Sequence, residues 1–358
     1  MEARVPPFRA AYAPADEELA ARFLSSAPAR PQAEARIDAR AGALVAAIRA
    51  KAGGLGGIED FLHEYSLSTK EGLALMVLAE ALLRVPDNAT ADELIEDKLS
   101  AGDFADHEVR SPALLVSASA WALGISARVV ASHETPESIL HGLVGRLGRP
   151  AVRTATRQAM RLMGSHFVLG QTIGEALARG GAHPEFRYSF DMLGEGARTA
   201  ADAGRYFDAY AAAIAAIGAA AGAPSLPQRP GISVKLSALY PRYEAISRAR
   251  VLTELTPRVI ALARAAKSHD LNLTIDAEEA DRLELSLDIV GRTLADPGLA
   301  GWDGFGLAVQ AYQKRAPAVI DWVAAAAEAL GRRVMVRLVK GAYWDTEVKR
   351  AQERGLDD

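Results

Sequence analysis

Leu271-Asn272-Leu273-Thr274-Ile275-Asp276 is an apolar, strand-forming run that ends on a carboxylate. The same construction recurs along the second half of the chain. Tyr188-Ser189-Phe190-Asp191-Met192-Leu193 and Ile232-Ser233-Val234-Lys235-Leu236 precede it. Phe305-Gly306-Leu307-Ala308-Val309, followed by Gln310, and Val334-Met335-Val336-Arg337-Leu338-Val339, followed by Lys340, come after it. Helical segments lie between them, at about Thr199–Ala221 and at Leu255–Lys267, Ala280–Leu294 and Ala316–Leu330. Strands alternating with helices predict a parallel α/β sheet. Asp191, Lys235, Asp276, Gln310, and Arg337 with Lys340 fall at or near the carboxyl ends of their strands, where a barrel gathers its active site. A doubly wound sheet would gather ligands there too, but no glycine fingerprint follows any strand. The expected fold is therefore α/β, a (β/α)8 TIM-type barrel of which about five strands are present.

Ahead of the strands the chain reads as helix after helix. Ser68-Thr69-Lys70-Glu71 and Thr90-Ala91-Asp92-Glu93 are capping boxes, and Ser111-Pro112 and Thr135-Pro136 place proline at first helical positions. No strand is expected before about Ala182, which divides the chain into an arm and helical domain (1–182) and the barrel part (183–358). The 358 residues are 50% apolar and 24% charged, with a formal charge of -4, enough apolar side chain for a sizeable core. With no cysteine, disulfides, thiolate metal sites, iron–sulfur clusters and cysteine nucleophiles are all excluded. The N-terminus lacks the apolar core of a signal peptide, and the longest apolar stretch, Tyr210–Ala223, is too short to span a bilayer. A soluble, cytoplasmic protein is expected.

Several motifs have ordinary explanations. Gly53-Gly54-Leu55-Gly56-Gly57 follows a helix and lacks a closing Lys-Ser/Thr pair, so a helix cap and turn explain it. Arg146, Arg149, Arg153, Arg157 and Arg161 make a basic helical stripe, better read as a solvated or subunit-facing surface than a nucleic-acid site. The histidines form no metal-binding pair, and His166 reads as structural. In Asp276-Ala277-Glu278-Glu279-Ala280-Asp281 the residues Glu278, Glu279 and Asp281 read as helix N-terminal charge, whereas Asp276 ends a strand and should face the barrel mouth. Arg337-Leu338-Val339-Lys340-Gly341-Ala342-Tyr343-Trp344 carries the most chemistry. It offers two cations around a strand end, a glycine permitting close approach to a flat ligand, and two aromatics able to stack. A mid-strand Arg337 is costly to bury without an anionic partner.

Four ordered blocks, Ile232–Ser237, Asp276–Leu283, Gln310–Arg315 and Arg337–Trp344, resemble the proline dehydrogenase domain of the bacterial proline utilization A flavoenzymes. The resemblance extends over essentially the whole chain. It implies non-covalent FAD at the carboxyl ends of the strands and oxidation of L-proline to Δ1-pyrroline-5-carboxylate. It also implies electron transfer to a membrane quinone by peripheral contact at the inner membrane face. Longer family members carry an N-terminal ribbon-helix-helix domain. This sequence begins at an arm-like Pro6–Tyr12, so no nucleic-acid partner is expected.

By matching position, the resemblance implies that Arg337 and Gln310 contact the isoalloxazine, with Val339, Lys340, Gly341 and Trp344 completing that side. It implies that Lys235 neutralises the proline carboxylate, that Asp276 holds Lys235 in place, and that Leu338, Ala342 and Tyr343 shape the proline pocket. Glu195 matches a residue that ion-pairs over the substrate. No metal is implied. The family pattern continues with further strands and a glutamate-semialdehyde dehydrogenase domain, where NAD would bind. The sequence is thus expected to be a piece of a longer polypeptide that forms a homo-oligomer. The competing expectation is a catalytically incomplete helical scaffold or interaction module with a relict half-barrel.

Overall fold

A computed structural model describes residues 5–26, 31–51, 168–222 and 224–356. The capping boxes at Ser68 and Thr90, the proline-led starts at Pro112 and Pro136, the glycine run at 53–57, the arginine stripe and His166 lie outside the described residues. The chain divides into two compact units, one of residues 1–28 with 172–358 and one of residues 29–171. Within the second unit a single helix is described, Pro31–Lys51. No helix among the described residues is long and apolar enough to cross a membrane.

Among the described residues the first unit contains five strands, β1 (Ser189–Asp191), β2 (Gly231–Val234), β3 (Asn272–Ile275), β4 (Phe305–Gln310) and β5 (Met335–Val339). They pair in parallel in the order β1-β2-β3-β4-β5. Each strand lies beside its predecessor, so the order never reverses. A doubly wound sheet needs such a reversal, and the sequential order is that of a barrel wall. The helices α4 (Ala200–Ala220), α6 (Arg248–Ser268), α7 (Leu283–Leu294) and α8 (Ala316–Leu330) form the connections. The labels α1 to α3 denote Asp16–Ser26, Pro31–Lys51 and Ile173–Gly181; α5 is the single turn Leu236–Leu239 and α9 is Trp344–Glu353.

Local chemistry explains these elements. Thr199 and Asp202 form a reciprocal capping box at the start of α4, each side chain satisfying the other's backbone N–H. In α6 the buried Val251, Leu255, Val259, Leu262 and Ala266 recur at steps of three and four, one apolar stripe against the sheet. Helix α6 starts seven residues earlier than its apolar pattern suggested, with Pro257 inside it. Ala280–Leu294 begins as a 3-10 turn (Ala280–Arg282) before α7.

Strand register sorts side chains between two faces. Phe190, Ile232, Leu273 and Phe305 are lateral neighbours, as are Val234, Ile275, Leu307 and Val336. These apolar rows face outward, with α4 against β2, α6 against β3 and α8 against β4. The alternate rows hold Asp191, Ser233 and Thr274, then Ala308 and Arg337. Arg337 on β5 donates to the Ser233 hydroxyl on β2 at 2.9 Å. Three strand spacings are roughly 14 Å in a flat sheet, beyond an arginine's reach, so the sheet curls toward the face that carries the polar residues.

The N-terminal arm packs on this unit. Trp322 Nε1 donates to the Pro6 carbonyl at 2.7 Å, and the Arg315 guanidinium lies 4.5 Å from the centre of the Tyr12 ring. By contacts the arm groups with the sheet.

Candidate active site

The polar ends of the strands converge on one charged cluster. Lys235, just beyond β2, donates to Asp276 Oδ2 at 3.1 Å and to the Asp191 oxygens at 3.1 and 3.3 Å. Arg337 bonds the other oxygen of Asp276 and the Ser233 hydroxyl. Ser233 in turn lies 3.2 Å from the Ser189 hydroxyl. The two cations and two carboxylates balance, which a part-buried cluster requires. Lys235 and Asp276 are 18% and 12% exposed, Asp191 50% and Arg337 38%.

Burial alone would pull the Lys235 ammonium down, but the charges of Asp276 and Asp191 outweigh it and hold it above the ordinary lysine range. Burial pushes the Asp276 carboxyl up, against the pull of Lys235 and Arg337 and with some help from Asp191. Beneath the cluster the Tyr210 hydroxyl accepts from the Lys235 backbone N–H at 3.3 Å, and burial pushes its phenol up to about 12. Sequence reading passed over Tyr210. Its one signal was an aromatic within an alanine-rich helix.

A second group frames the Arg337–Trp344 segment. Gln310 donates from its amide to the Glu278 carbonyl at 2.8 Å and accepts from the Ala342 N–H at 3.2 Å. Val339 is its lateral neighbour on β5. Gly341 has φ +122°, and a Cβ there would run into the Tyr312 ring, so no other residue fits this turn. Tyr312 donates to Glu347, whose other oxygen accepts from the Ala280 N–H at 2.6 Å. Burial, then the bond to Glu347, raises the Tyr312 phenol.

The expected residues separate into those that meet and those that do not. Lys235, Asp276 and Arg337 form the cluster, and Gln310, Val339, Gly341 and Ala342 line the adjoining turn. Tyr343 is half-buried, its phenol raised by burial and then by the nearby Glu195 charge. Lys340 and Trp344 open on a groove of about 470 Å³ that also touches Tyr12, Tyr312 and Glu347. Leu338 is a correction. With period two along β5 it lies on the face opposite Arg337, 65% exposed, and is not brought to the cluster. Glu278 is a second correction. It is buried rather than a solvated helix charge, accepting from the Ser237 N–H at 3.0 Å and from Arg282 at 3.1 Å. Asp191 and Ser233 were visible as strand residues, but their meeting with Lys235 and Arg337 was not. Among the described residues no group of side chains could hold a metal ion.

Residues 176–358 match the family model described as proline dehydrogenase, and residues 57–167 match one described as the DNA-binding domain of proline dehydrogenase. The second description sits against the expectation of no nucleic-acid partner, and its residues lie outside those described. The chain is 50% identical to the bifunctional protein PutA of Salmonella typhimurium over 86% of its own length and 24% of that protein's. It is 50% identical to PutA of Rhizobium meliloti over 88% of its length and 26% of that protein's. A crystal structure of a mutant proline utilization A from Bradyrhizobium japonicum shares 66% identity and a TM-score of 0.70, covering 98% of this chain and 35% of that one. The chain thus spans about a quarter of the length of the curated relatives it matches. The charged cluster and the glycine turn both lie inside the matched 176–358, just over half of the chain, and the chain belongs to the proline dehydrogenase family.

Proposed function

We propose that this chain supplies the helical portion (1–182) and the first barrel strands (183–358) of a flavin-dependent proline dehydrogenase. The polypeptide that carries it would be a bifunctional proline-to-glutamate enzyme, with a glutamate-semialdehyde dehydrogenase domain that uses NAD. One observation carries the reading: two cations, Lys235 and Arg337, held on one part-buried carboxylate at the carboxyl ends of parallel strands.

The residues present fit FAD. Arg337 Nε is buried without a partner, and one of the two Gln310 amide hydrogens is unspent. The Trp344 ring is exposed. Arg337, Gln310, Val339, Lys340, Gly341 and Trp344 would hold the cofactor, which when bound supplies a hydride acceptor. A fixed guanidinium favours negative charge developing beside it, without reorganisation during the reaction.

The substrate side follows from charge. Lys235 would bind the carboxylate of L-proline, and Asp276, clamped by Arg337, keeps the ammonium in place. Ala342, Tyr343 and Glu195 would bound the pocket. Because its neighbours hold it cationic, Lys235 binds and does not abstract a proton. The amine of proline can then shed its proton to water or bind already neutral. The product would be Δ1-pyrroline-5-carboxylate, with the electrons passed to a membrane quinone through peripheral contact of a cytoplasmic homo-oligomer.

The test uses the polypeptide that carries this chain, loaded with flavin and kept free of oxygen. Addition of L-proline should bleach the visible flavin absorbance, and a soluble quinone should restore it. A flavin that stays oxidised in the presence of proline would sink the reading.

A further inference from the structure

The loops that follow the strands are laced together by polar bonds. After β1, the Gly196 N–H donates to the Ser237 hydroxyl in α5 at 3.1 Å, and the Ala197 N–H donates to the Ser237 carbonyl at 2.9 Å. The Ser237 N–H donates in turn to Glu278, after β3, at 3.0 Å. The Glu278 carbonyl accepts from Gln310 at the end of β4, and Gln310 accepts from the Ala342 N–H after β5. Ser237 is buried, and its hydroxyl oxygen, N–H and carbonyl are all bonded to neighbouring loops. Neither helix propensity nor burial asks for serine here: alanine is the better helix former, and a buried hydroxyl is costly without a partner. The hydroxyl serves the loop after β1.

We propose that Ser237 is a positioning residue for the substrate pocket: its hydroxyl fixes the Gly194-Glu195-Gly196 bend and so sets where Glu195 stands relative to Lys235 and Tyr343. This rests on the reading of those three residues as bounding the proline pocket. Gly194 and Gly196 both have positive φ, so the chain bends sharply on either side of Glu195. The Glu195 charge is felt by the Tyr343 phenol, which burial and then Glu195 raise. Ser237 lies two residues beyond Lys235 in the same turn. A bond from Ser237 to Gly196 therefore spans from the residue next to Glu195 almost to the cation that would hold the substrate carboxylate. With that bond made, the width of the pocket on this side is set before a ligand arrives, and binding need not order the bend. Ser237 touches no reacting atom; it acts through Glu195.

The test uses the flavin-loaded polypeptide and its Ser237→Ala variant, which removes one oxygen and leaves the backbone bonds to Glu278 and Ala197. The probe is cyclopentanecarboxylate, a five-membered ring with the carboxylate but no amine to oxidise, with its affinity measured by calorimetry. Loss of the hydroxyl should weaken that affinity about five- to tenfold, the worth of one hydrogen bond. In steady state the KM for L-proline should rise by a similar factor while kcat changes little. In a Glu195→Ala background the same substitution should add nothing, because the hydroxyl acts through Glu195. A lower unfolding midpoint with unchanged affinity and KM would overturn the proposal, as would a full additional effect in the Glu195→Ala background. Should the alanine variant not fold, Ser237→Cys, which keeps the volume but accepts poorly, decides between the same outcomes. The two readings fail separately. If proline bleaches the flavin yet affinity and KM ignore Ser237, only the positioning role falls. If affinity for the ring follows Ser237 but proline never reduces the flavin, only the proposed function falls.

Discussion

The outward and inward faces of the same five strands have opposite chemistry. Outward, Ile232, Val234, Leu273, Ile275, Phe305 and Leu307 are buried beneath helices and carry no polar atom in their side chains. Inward, Ser233, Asp276, Gln310 and Arg337 are polar or charged and bond one another or the loops. Strand period two keeps the two sets apart, so a slip of one residue would exchange them. The lesson is a division of labour: the outward rows hold the fold together, while the inward rows can be altered for chemistry at smaller cost.

The strongest attempt to break that division is Phe305→Ala on the outward face. It should cost about 3–5 kcal/mol of stability in denaturant unfolding, through lost transfer energy and a cavity. Carboxylate affinity of the molecules that still fold should be unchanged. A large affinity loss with little destabilisation would show that the faces are coupled.

Arg337→Met probes the inward face. Flavin reduction by proline should slow about 10²–10³-fold, the usual effect of losing one preorganised charge, with unfolding shifted much less. An equal loss of stability would make Arg337 a structural residue. Gly341→Ala sharpens the contrast within the inward side. The positive φ and the Tyr312 ring should make it cost about 1–3 kcal/mol, read as a lower unfolding midpoint together with weaker flavin retention.

The smallest expected effect concerns pH. Lys235 has its folded value raised above the ordinary 10.5. Its ionic contribution to stability is therefore complete below 10.5 and lost only as pH rises through the folded value. Unfolding free energies of the protein and of Lys235→Met should run parallel from about pH 7 to pH 9 and converge only above about pH 10.5. A slope between them near neutrality would mean that Lys235 titrates there and is free to act as a base.

Much of this was legible before any coordinates. Leu271–Asp276 announces a strand with a charge at its end, and β3 with Asp276 stands there. The helix expected from about Thr199 to Ala221 is α4, and Ala316–Leu330 is helical over the expected range. Period two from Arg337 was enough to exclude Leu338 from the same face, although the resemblance pointed the other way. Glu278 misled because Asp276–Asp281 looks like solvated helix charge in one dimension; folding buries it beneath the turn after β2.

The sequence by itself determined the alternation of strands and helices, the parallel class and the residues offered at each strand end. Those features are local: side-chain period, caps and turn residues act within a few positions. Only the tertiary structure decided which charges meet. Arg337 reaches Ser233 across 104 residues and Asp276 across 61, while Lys235 reaches Asp191 across 44. Those partnerships depend on the register and curl of the sheet, which the packing of helices on its outward face sets. They also depend on the different burial of Asp191 and Asp276, two aspartates that the sequence presents in the same way.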